Sequence, residues 1–150
     1  MEEVMKKEAA SSEHHAPPMW CLAASLAELK AQGSKGKGLQ VEVQRHPLAL
    51  YWYKEEVHAM DDSCPHDGGP LSEGDIEDLV GDGLSPSGAD ATKRSVVVCP
   101  WHGYKFDIND GTDVYGLACD LRIWRVEVRG DEIWVDLSAP KAGGPKQHSW

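Results

Sequence analysis

The chain has 150 residues, 41% hydrophobic and 27% charged, with 15 glycines and 9 prolines, a size and make-up that suit one domain of short strands and turns rather than long helices. Net charge is −10, and the whole excess lies in the middle: residues 61–120 hold 3 basic against 13 acidic groups. That argues against nucleic acid and anionic membrane as partners and leaves two readings, a face steered toward a cationic protein or a solvated acidic surface.

Residues 1–18 are polar, rich in Ala and Ser, and end in Pro17-Pro18. They read as a disordered tail in which the adjacent His14 and His15 are incidental. This start resembles neither a secretory signal nor an Arg-rich transit peptide, so the expected location is the cytoplasm. No apolar run approaches the ~20 residues of a membrane span.

Trp20 to Ala23 reads as a first short strand. Ser25-Leu26-Ala27-Glu28 carries the Ser-x-x-Glu of a capping box and predicts a single helical turn. Gly33 to Gly38 reads as a flexible turn. Leu39 to Val43 alternates apolar and polar as a half-buried strand does, and Leu48 to Tyr53 and Val57 to Met60 continue the pattern. Residues 81–92, low in apolar content, read as an exposed loop insertion. Ser95 to Val98 is a short buried strand. Ile123 to Val128, the turn Arg129-Gly130-Asp131, and Glu132 to Leu137 form the clearest hairpin. Residues 139–150 read as a second loose end. Short strands at close spacing with Gly/Asp turns predict an all-β sandwich or small barrel, with the domain spanning residues 19–138.

Four cysteines are present at irregular spacing. A disulfide framework is not expected, and metal binding in a reducing compartment is the default. Two segments carry the chemistry. The first is Cys64-Pro65-His66-Asp67-Gly68-Gly69-Pro70-Leu71; the second is Cys99-Pro100-Trp101-His102-Gly103-Tyr104-Lys105-Phe106-Asp107. Each is a Gly/Pro-stiffened loop offering one thiolate and one imidazole. A structural zinc site usually groups like with like. Twin loops with mixed donors suit a two-iron centre, one iron taking Cys64 and Cys99 and the other His66 and His102.

These motifs resemble the Rieske family, in particular its soluble ferredoxins. The resemblance covers roughly residues 20–137. It includes Gly69 to Asp75, Tyr104 to Asp107, and Leu117-Ala118-Cys119. It implies a Rieske-type antiparallel β-sandwich with a small cluster-binding subdomain of two ligand loops. It also implies a [2Fe–2S] cluster held by two Cys and two His. One departure stands out: 32 residues separate His66 from Cys99, longer than usual in the family, and the surplus coincides with residues 81–92. Loop closure entropy grows slowly with length, so such an insertion is tolerated.

The resemblance also bears on potential. Respiratory members carry an additional Cys in each loop, joined as a disulfide; the matching positions are Gly69 and Trp101. They also carry a Ser and a Tyr whose hydroxyls donate toward cluster sulfurs; the matching positions are Tyr104 and Phe106. Donors at the sulfurs favour the reduced state, so their loss lowers the potential, to about −150 mV. Cys21 and Cys119 match no ligand position and read as small buried hydrophobes. Trp52, Trp124 and Trp134 read as core, and Trp101 as a shield against water. Tyr51 and Tyr53 are left open between surface and core.

The expected function is one-electron transfer from a reductase to an oxygenase or other redox enzyme, by a monomer with no substrate pocket of its own. The alternatives are a redox-regulatory or electron-transfer subunit held in a larger oxidoreductase, and a zinc-stabilised binding domain.

Overall fold

The computed structural model describes residues 17–66, 68–80, 93–116 and 119–145. The tail residues 1–16, Asp67, the segment 81–92, the pair Leu117-Ala118 and residues 146–150 lie outside the described residues.

Strand β1 (Trp20–Ser25) leads into helix α1 (Leu26–Gly33). The expected cap is present: Ser25 accepts the Glu28 N–H at 3.0 Å. The helix runs eight residues rather than one turn, because Leu29 plugs completely into the core beneath it. Strands β2 (Leu39–Val43), β3 (His46–Tyr53) and β4 (Glu56–Asp61) follow as two hairpins. Their turns place Gln44, Arg45, Lys54 and Glu55 at positive φ without a glycine. The remaining strands are β5 (Asp75–Val80), β6 (Lys93–Val98), β7 (Lys105–Asp107), β8 (Cys119–Arg129), β9 (Glu132–Asp136) and β10 (Ala142–Pro145).

Among the described residues all pairings are antiparallel. The larger sheet runs β1-β9-β8-β4-β3-β2, with β10 added beside β8. It curls until its edges β1 and β2 lie near one another. The smaller sheet is β5-β6-β7. The β8–β9 hairpin stands as expected, with Val128 opposite Ile133.

Strand β3 is buried on both faces, which explains its unbroken apolar run. Alternate side chains point to opposite faces. Leu48 and Leu50 enter the core of the curled sheet with Leu29, Ala59, Trp124, Ile133 and Val135. Ala49 and Tyr51 face the smaller sheet and join Met60, Leu71, Val97, Phe106 and Leu121. The second core also takes in Cys64 and Cys99.

Several expectations need correction. Residues 142–145, placed in a loose end, pair with β8 from Ala142 opposite Ile123 to Pro145 opposite Cys119; a Gly-Gly-Pro stretch hides a strand because nothing in it alternates. Strand β5 was not expected, since its three acids mask the pairing of Ile76 with Val97. Cys21 and Cys119 are half-buried rather than buried, Cys21 on β1 against the core of the curled sheet and Cys119 at the start of β8. Trp52 and Trp134 are half-buried. Each sits at the rim under a cation, Lys30 at 4.9 Å and Arg129 at 4.6 Å from the ring centre. Trp124 is in the core as expected.

Candidate metal centre

The first of the two motif loops connects the larger sheet to the smaller, and the second is a hairpin connection within the smaller sheet. Loop one, residues 62–70, runs from β4 toward β5, and loop two, residues 99–104, runs from β6 to β7. They close with the same hydrogen bonds. The Cys64 N–H donates to the Gly69 carbonyl at 2.9 Å and the Gly68 N–H to the Cys64 carbonyl at 2.8 Å. The Cys99 N–H donates to the Tyr104 carbonyl at 2.8 Å and the Gly103 N–H to the Cys99 carbonyl at 3.0 Å. Gly68 and Gly103, each four residues after its cysteine, have φ of +81° and +80°. A side chain at either would be strained there.

The loops abut. A Cβ on Gly69 would stand 2.8 Å from Cys99 Sγ and 3.0 Å from the Trp101 ring. Both cysteines are buried, Cys64 at 3% and Cys99 at 1% exposure. Loop one is tied down by Tyr51, whose hydroxyl donates to the Leu71 carbonyl at 2.7 Å; burial pushes that phenol far above its ordinary value. Asp62, also buried, accepts from the Ser72 N–H at 2.8 Å. Tyr51 is therefore core, and Tyr53 is the half-buried one.

The histidines differ. His66 is half-buried, its ring 4.4 Å from that of Tyr104 and stacked 5.8 Å from that of Phe106. Its Nε2 lies 2.8 Å from Asp113 Oδ2. His102 is exposed, with Tyr104 edge-on at 6.3 Å. Trp101 is 58% exposed: one part of its ring covers Gly69 and the rest lies in water. Asp113 was missed. It reaches His66 across 47 residues, and no local pattern signals such a pairing.

Among the described residues no three His, Cys, Asp or Glu side chains converge as they would on a single ion. A two-iron centre asks for only a pair of protein ligands per iron. The donor set, the buried thiols and the close approach permitted by Gly69 fit that demand.

Residues 19–120 match the family model described as the Rieske [2Fe-2S] domain. The chain belongs to that family. Membership implies a [2Fe–2S] cluster. A human Rieske domain-containing protein is 37% identical over 81 residues, 54% of this chain and 44% of that protein, so the chain spans less than half the length of that relative. The ferredoxin component of the p-cumate 2,3-dioxygenase system of Pseudomonas putida is 36% identical, covering 71% of this chain and 79% of that one. The solved ferredoxin of carbazole 1,9a-dioxygenase from Nocardioides aromaticivorans IC177 aligns with a TM-score of 0.57 over 84% of this chain and all of that one. At 23% identity it establishes the likeness of fold. Among the described residues of this Rieske protein, no helix is long and apolar enough to cross a membrane.

Proposed function

We propose that this Rieske protein is a one-electron carrier. It accepts an electron from a reductase and passes it to an oxygenase or other redox enzyme, acting as a monomer in the cytoplasm. Cys64 and Cys99 hold one iron, and His66 and His102 hold the other. The observation that carries this is the pair of loops with one hydrogen-bond pattern, closed against each other at Gly69. The ferredoxin component of P. putida, with most of its length covered, supports the carrier role.

The chemistry such a cluster supplies when bound is uptake and release of a single electron. The protein's own groups do the rest. Phe106, Leu71 and Val97 exclude water from behind the thiols. The glycines let the loop backbones approach closely. His102, exposed at the tip, offers an imidazole edge to a partner.

Anaerobic purification followed by gel filtration and EPR of the reduced form tests this. A single-chain species with a Rieske signal that a reductase can refill supports it. Permanent co-elution with a large enzyme speaks for a bound subunit, and a colourless zinc protein for a structural domain; either result overturns the carrier.

A further inference from the structure

We infer that Asp113 is a positioning residue for His66. It makes the two histidines of the centre unequal, His66 tied inward and His102 facing solvent. This rests on the cluster assignment proposed above.

The pairing is built rather than incidental. Asp113 Oδ2 lies 2.8 Å from His66 Nε2, and the two side chains are 0% and 12% exposed. A buried carboxylate is costly unless its lone pairs are used. Asp113 Oδ1 accepts the Tyr115 N–H at 2.9 Å. Its backbone is fixed as well: its N–H donates to Asp120 Oδ1 at 3.0 Å, and its carbonyl accepts the Gly116 N–H at 2.9 Å. It bridges Phe106, the residue whose ring stacks on His66. One short strand and its return therefore deliver both the face contact and the edge contact to the same imidazole.

Two consequences follow from the chemistry. A carboxylate has no proton to give, so the shared hydrogen belongs to Nε2 and the ring's lone pair to Nδ1. Asp113 thus selects the tautomer and locks the ring. A buried negative charge against one ligand also opposes the arrival of an electron, so Asp113 lowers the midpoint potential.

The test compares the holoprotein with Asp113→Asn, which keeps the shape and removes the charge, and with Asp110→Asn on the exposed part of the same turn. In D113N the Rieske EPR signal persists. Its reduction equilibrium shifts at least tenfold toward the reduced form, about 59 mV for one electron. D110N shifts it less than twofold. In the unaltered holoprotein, diethyl pyrocarbonate with peptide mapping labels His102 at least tenfold faster than His66. An unchanged midpoint in D113N with its signal intact, or equal labelling of the two histidines, overturns the inference and leaves the cluster assignment standing. A wild-type protein without the signal overturns that assignment instead. Should D113N assemble no cluster, the labelling ratio decides.

Discussion

The indole of Trp101 lies across Gly69, so that a Cβ on the glycine would stand 3.0 Å from Cγ and Cδ2 of the ring. These are the two positions at which the sequence resemblance sets a disulfide in respiratory members. Here an aromatic ring on a bare backbone joins the loops by packing. Gly69→Ala must displace either Trp101 or Cys99 Sγ, 2.8 Å away. Overpacking of this kind costs about 1–3 kcal/mol. The expected result is a lower midpoint of urea unfolding and reduced iron content. Wild-type values for both in G69A mean the loops are not closed against each other.

A second tie joins the smaller sheet to the β3–β4 hairpin. Asp78 accepts from Ser95 Oγ and the Tyr53 hydroxyl, each at 2.7 Å, and pairs with Lys54 at 3.0 Å. These donors, Ser95 foremost, hold its carboxyl well below the usual carboxylate range. A lowered folded value means the charged form is the one the fold favours. The contribution is full above the ordinary carboxylate value and is lost as pH falls through the lowered one. Asp78→Asn should flatten the acid limb of stability against pH between about 4 and 2. Hydrogen exchange in β5 and β6 reads this, and identical acid limbs in both proteins would contradict it.

His58 acts in a different pH window. Burial lowers its value, against the smaller opposing effect of Glu56, whose carboxylate stands 3.8 Å away. The unfolded chain therefore binds a proton that the folded one resists. Stability is full above about 6.5 and declines as pH falls below it. His58→Gln should remove that decline, measured as melting temperature from pH 7 to pH 5. A variant that declines as steeply as the wild type refutes the assignment.

The absence of a hydroxyl at Phe106 leads us to expect a low potential. Phe106 is fully buried and carries no hydroxyl. Potentiometry is expected to give a midpoint at about −150 mV, the low end for this cluster type. A value well above zero would show that donors to the sulfurs exist which Phe106 and Tyr104 do not supply.

Local patterns showed β2, β3, β4 and the β8–β9 hairpin, because alternation and turn residues are written within a few positions. The two loops that carry Cys64, His66, Cys99 and His102 were legible for the same reason, each Cys lying two or three residues from its His. What stayed hidden depends on distant partners. Asp113 meets His66 only because β7 and its return fold under loop one. Strand β5 pairs through Ile76 despite three acids, and β10 is recruited by β8 with no periodicity of its own. Trp52 and Trp134 looked like core because their apolar surface was visible in the sequence and the covering cations were not.

The most direct measurement is iron and acid-labile sulfide per chain in protein made under oxygen exclusion, for the wild type and for Cys64→Ser, His66→Ala, Cys99→Ser and His102→Ala. About two of each are expected in the wild type, with the Rieske spectrum lost in all four variants. Wild-type protein lacking inorganic sulfide, or a variant that keeps the unaltered spectrum, would contradict the cluster assignment.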